Sequence, residues 1–190
     1  MSMDSETVLQ TKPNLFTYAT SELSQDAFLC WLFEHIALKT GDIAHHVAKR
    51  LLEKMMQKAV HFYPQLQQKN VLDEPLKIER QVKQIDVLLT FESNQGEKTY
   101  IIIEDKTESG ESRKNQLEHY QSKLKINPST DIIIPVLFKT GYTPKHIQAN
   151  LAERRIVFIG YEDIYEIFNP FRSELGQDVI LNSWWRHFYD

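Results

Sequence analysis

Apolar residues fill nearly every face of the segment from Ser24 to Leu38, which predicts a mostly buried helix with Ser24 as N-cap and Gln25 and Asp26 in its first turn. Thr40-Gly41-Asp42 breaks that pattern. Val47, Leu51, Leu52, Met55, Met56, Ala59 and Val60 then recur at helical spacing, so a second, amphipathic helix is expected to end before Pro64. Gln65 to Pro75 reads as a polar connection. From Leu76 the period changes to two: Lys77 to Val82 alternates, and Gln84 to Phe91 and Lys98 to Lys106 are rich in β-branched residues. Ser93-Asn94-Gln95-Gly96 between the last two is a turn signal, giving a hairpin or meander. Further along, Glu108 to Ser112 reads as a loop and Arg113 to Lys125 as a helix with Leu117, Tyr120 and Leu124 on one stripe. Asp131 to Phe138 reads as a strand in which Pro135 marks a bulge or an edge. Pro144 to Ala152 should be helical, Arg155 to Ile159 a strand, and Tyr161 to Phe168 a short helix. Trp184, Trp185, Phe188 and Tyr189 suit a C-terminal helix docked on the core. Helices, then strands interleaved with helices, predict an α/β fold with a mixed central sheet.

Composition narrows the picture to an ordinary globular domain. The 190 residues are 42% hydrophobic and 25% charged, with 6 Gly, 7 Pro and 1 Cys, which excludes collagen, low-complexity disorder and a disulfide scaffold. No internal repeat or linker divides the chain, so residues 1–190 are read as a single domain. The formal charge of −4 excludes binding of nucleic acid by bulk charge, and any such contact must be local. The polar N-terminal residues and the lack of a ~20-residue apolar stretch point to a soluble, cytoplasmic protein with no membrane partner. Cys30, inside Ala27 to Phe33, is expected to act as a small core hydrophobe. His35, His45, His46 and His61 show no metal-ligand spacing.

The hairpin carries the chemistry. With its turn centred near Gln95, facing residues have numbers that sum to about 190, so Asp86 lies opposite Glu104 and Lys106 follows on the same face. Like charges in that relation are destabilising, and Tyr100-Ile101-Ile102-Ile103 leads Glu104 out of a buried strand. A basic neighbour, a shared proton or a divalent cation must compensate them. Asp105 alternates to the opposite face. Lys77, Arg80, Lys83, Arg113 and Lys114 are candidate phosphate contacts.

Ile85-Asp86, then Glu104-Asp105-Lys106 at the end of an apolar strand, then a helix and another strand, resembles the PD-(D/E)XK nuclease superfamily with its restriction-endonuclease-like fold. Gln116-Leu117-Glu118-His119-Tyr120 is similar to the Gln-x-x-x-Tyr of the helix that follows the motif in such families. Glu22-Leu23-Ser24 with Ala27-Phe28-Leu29 and Trp31-Leu32 resembles the opening of a bacterial subgroup in which an N-terminal Glu joins the metal site. Ile85 stands where the motif's name has Pro. The resemblance implies a Mg²⁺- or Mn²⁺-dependent nuclease, in bacterial defence or repair, acting on DNA. It implies Asp86, Glu104 and Glu22 as metal ligands and Lys106, Gln116 and Tyr120 as further catalytic residues. A homodimer is compatible with it. Two alternatives stay open at this point: a non-catalytic nucleic-acid- or protein-binding module on the same fold, and an RNase.

Overall fold

The computed structural model describes residues 22–106, 120, 123–124 and 126–189. Among the described residues five α-helices and five strands appear in the order α1 (Glu22–Ala37), α2 (Ile43–Ala59), β1 (Leu76–Val82), β2 (Ile85–Glu92), β3 (Lys98–Lys106), β4 (Ile132–Lys139), α3 (Lys145–Glu153), β5 (Val157–Ile159), α4 (Tyr161–Phe168) and α5 (Val179–Tyr189). The strands form one sheet in the order β1-β2-β3-β4-β5. The β1–β2 and β2–β3 pairs are antiparallel, and the β3–β4 and β4–β5 pairs parallel. This is the α/β fold with a mixed sheet that the pattern predicts, of the restriction-endonuclease-like kind. Among the described residues no helix is long and apolar enough to cross a membrane.

Alternation divides the sheet into two faces. Val87, Leu89, Phe91, Ile101 and Ile103 belong to the main core with residues of α1, α2, α4 and α5. The phenyl ring of Phe28 on α1 stacks on Trp184 of α5 with centroids 4.6 Å apart, so the terminal tryptophans are core anchors, as expected. On the other face Leu88, Tyr100 and Ile102 pack with Tyr120 and Leu124, while Leu137 packs with Leu151 of α3.

Three local expectations change. Helix α1 begins at Glu22, two residues before the predicted cap, so Gln25 and Asp26 lie inside it and are buried, 3% and 1% exposed. Gln65 to Pro75 is not a featureless connection: two short 3₁₀ turns, Pro64–Gln68 and Val71–Asp73, bury Leu66 and Val71 under the core. Pro135 causes no edge strand. It pairs with Ile102 on one side, and on the other it lies one residue short of Val136, where β5 begins to pair, so its missing N–H falls where no ladder is formed.

The β1–β2 connection is tighter than its composition announces. Val82 pairs with Ile85 across a two-residue turn in which Lys83 (φ 53°) and Gln84 (φ 65°) are both left-handed, as a type I′ turn requires. The turn is latched to the segment after β3: Lys83 Nζ donates to the Lys123 carbonyl at 2.8 Å, and Lys123 Nζ donates to Gln84 Oε1 at 2.5 Å. Gln81 (φ 51°) is left-handed too, and β1 and β2 are not paired at Gln81 and Asp86. At the same point the alternation breaks, since Ile85 packs with Leu88 rather than with Val87.

Candidate active site

Facing residues of β2 and β3 sum to 190, from Glu92↔Lys98 to Val87↔Ile103. Val87↔Ile103 is the last pair of that ladder, so Asp86 and Glu104 are the next residues beyond it on their two strands. Both residues are half-buried. Glu104 pairs with Leu137 of β4, which places it on the face of Ile102 and Tyr120, and Lys106 occupies the next position of that face along the backbone of β3. Asp105 belongs to the opposite face, as alternation predicts.

Asp86 is held from two sides. Its Oδ2 accepts the Asp105 backbone N–H at 3.1 Å, and its Oδ1 lies 3.4 Å from Gln81 Nε2. Gln81 is anchored in turn, because the same amide nitrogen donates to Asp26 Oδ2 on α1 at 2.6 Å. The neighbouring residue of α1, Gln25, donates through Nε2 to Asp105 Oδ1 at 2.7 Å. Asp105 is fully buried, and a carboxylate there is tolerable only when hydrogen-bonded. Two consecutive side chains of one helix therefore reach β3 and β1 and brace the acid that lies between them on β2.

Gln25, Asp26 and Gln81 were not among the candidate residues. The first two read as first-turn polarity because Ser24 looked like a cap. The available signal was two polar residues in a helix otherwise apolar on every face, which calls for buried partners. Gln81 gave no signal, since its left-handed backbone follows from the turn geometry.

The remaining expected residues fall as follows. Tyr120 is buried among Leu88, Tyr100, Ile102 and Leu124, on the Glu104 face. Glu22 is the first residue of α1, one turn before the Gln25-Asp26 pair. Gln116, Arg113 and Lys114 lie outside the described residues. Lys77 faces Glu79 at 3.1 Å, and Lys83 is committed to the turn latch. Burial, reinforced by the charge of Asp26, pushes the Cys30 thiol up to about 11, which leaves it a packing residue rather than a nucleophile. His35 Nδ1 lies 3.0 Å from Asp42, and His45 Nδ1 is 2.9 Å from the His35 carbonyl, so both knit the α1–α2 junction.

Among the described residues no three His, Cys, Asp or Glu side chains converge as a metal cage. The donor chemistry of Asp86 and Glu104 nevertheless fits a hard divalent cation, since both are carboxylates and the bonds to Asp86 fix its direction while leaving lone pairs on each oxygen. Residues 13–190 match the sequence model of the PD-(D/E)XK nuclease superfamily. No curated protein and no solved structure matches the chain.

Proposed function

The chain belongs to the PD-(D/E)XK nuclease superfamily, and from that membership we propose that it is a divalent-metal-dependent nuclease that hydrolyses phosphodiester bonds in DNA. The observation that supports this reading is the β2–β3 ladder, whose last pair, Val87↔Ile103, leaves Asp86 and Glu104 next along their strands with Lys106 two residues beyond Glu104. Asp86 and Glu104 would hold Mg²⁺ or Mn²⁺, with Glu22 of α1 as a third ligand. When bound, such an ion supplies an activated water and Lewis-acid stabilisation of phosphoryl charge.

The chain's own residues do the rest. The Asp105 N–H and the Gln81 amide keep the Asp86 carboxylate in one orientation, so its oxygens need not be reorganised during reaction. Lys106, at the next position of the Glu104 face along β3, would orient the attacking water and offset charge that develops on the phosphoryl oxygens. Tyr120 backs the site from the segment after β3, and Gln116, four residues before it in the sequence, would contact the substrate backbone. A role in bacterial defence or repair and a cytoplasmic location accord with this activity.

The test is incubation with plasmid, linear duplex, single-stranded DNA and RNA in Mg²⁺, Mn²⁺ or chelator. Cleavage of DNA is expected with either metal, and Asp86→Ala and Lys106→Ala, confirmed folded by circular dichroism, should nearly abolish it. Activity that survives excess chelator would sink the mechanism. Cleavage confined to RNA would move the substrate to the RNase alternative.

A further inference from the structure

We propose that Lys139, at the end of β4, grips a backbone phosphate adjacent to the one being cleaved. The proposal rests on the nuclease reading for its substrate and on the sheet register for its position.

Strands β3 and β4 run parallel and end together, with Lys139 paired directly to Lys106. Side chains of directly paired residues on neighbouring strands project from the same face, and the strands stand about 4.8 Å apart. Lys139 thus belongs to the face of Glu104 and Leu137, one strand further from Asp86. Across the strand ends the charges run in order: carboxylates on β2 and β3, then cations on β3 and β4. The carboxyl ends of parallel strands are also where open α/β sheets place their ligands.

Lys139 differs from the other lysines near the sheet. Lys77, Lys83, Lys98 and Lys69 are all committed, to Glu79, the Lys123 carbonyl, Glu92 and Glu97 respectively. Among the described residues no carboxylate lies within ion-pair distance of Lys139, although it is half-buried rather than waving in solvent. Its backbone is fixed on both sides by buried Phe138 and Thr140. A cation held on a rigid strand end, with no carboxylate partner among the described residues, is suited to an anion brought from outside. A polynucleotide laid across the acid-to-base gradient, with its scissile phosphate at Glu104 and Lys106, brings the neighbouring phosphate over Lys139.

The experiment measures binding of a short fluorescein-labelled DNA duplex by anisotropy across a salt series, with the matching single strand and RNA as further probes. Lys139→Met should weaken binding about fivefold at the lowest salt and reduce the slope of log Kd against log salt by about one, the signature of one lost phosphate contact. Lys139→Arg should restore most of both. Lys49→Met, an equal charge change on the exposed side of α2, is the control. An unchanged slope in Lys139→Met, or an equal drop in the control, overturns the proposal. So does a parent protein that binds none of the three probes. If the parent binds with the expected Lys139 dependence but cleaves nothing, the phosphate contact stands and the nuclease reading falls.

Discussion

Replacing Gln25 by glutamate keeps the size and shape of the side chain and turns the donor facing Asp105 into a second carboxyl group. The two oxygens now facing each other would be about 3 Å apart, the present Nε2–Oδ1 distance being 2.7 Å. Two full charges at that separation repel by about 5 kcal/mol at an effective dielectric constant of about 20. Protonating one carboxyl instead costs about 1.4 kcal/mol for each pH unit above its ordinary value near 4.3, hence about 3.7 kcal/mol at pH 7 and about 1 kcal/mol at pH 5. The cheaper route wins. The pair therefore shares a proton, and its folded pKa is raised above the unfolded value. Stability should be near parental below about pH 4.3 and fall progressively as pH rises towards the folded pKa. For a chain of this length each kcal/mol moves the melting temperature by about 2–4 °C, so Gln25→Glu should melt about 7–15 °C below the parent at pH 7 and only about 2–4 °C below at pH 5. Thermal melts of both proteins at several pH values decide the matter. A deficit that does not change with pH, or one under about 2 °C at pH 7, would refute the idea that the Gln25–Asp105 bond carries a buried carboxylate.

Other consequences are open to equally direct measurement. Mn²⁺ at a hundredfold excess over its Kd should stabilise the parent by about 2.7 kcal/mol, and Asp86→Asn, which keeps the shape and removes a ligand charge, should show no such melting shift; a parent that ignores millimolar Mg²⁺ and Mn²⁺ counts against the metal site. At the start of α2, Asp42 accepts the His45 N–H at 2.9 Å; burial nudges its pKa upward, but the hydrogen bonds from His45 and Thr40 outweigh this and leave it lowered. Its contribution is therefore present above the ordinary carboxylate range and lost as pH falls through the lowered value, so Asp42→Ala should cost about 1 kcal/mol in urea unfolding at pH 7 and progressively less in acid.

The elements that were legible are those whose signal is periodic. The alternation of β2 and β3 around Ser93 to Gly96 was enough to give the register found from Glu92↔Lys98 to Val87↔Ile103, because a hairpin's register follows from its turn. Matching three- and four-residue spacings likewise marked α2 and α4. What stayed hidden depends on tertiary contact. The burial of Gln25 and Asp26 is decided by strands 50 to 80 residues away, which they meet only once α1 lies across the sheet. Val71 and Leu66 look like stray apolar residues in a polar stretch until the core closes over them. The partnership of Lys139 with Lys106 joins strands separated by a segment with its own helix pattern, so no local periodicity announces it.

The Lys83-Gln84 turn bears on any attempt to make this protein hardier. Asn-Gly is the pair that most readily adopts two consecutive left-handed conformations, and a stability engineer working from turn statistics would install it. Here the residues that fit the turn less well are also the two ends of a clasp, since Lys83 Nζ and Gln84 Oε1 hold Lys123. Exchanging them would relax the backbone while releasing the segment that carries Tyr120 against the second face of the sheet. A variant improved in this way would gain heat resistance in the hairpin and lose definition beside the motif, so thermostabilising changes belong on the α1–α2 side of the molecule, away from that clasp.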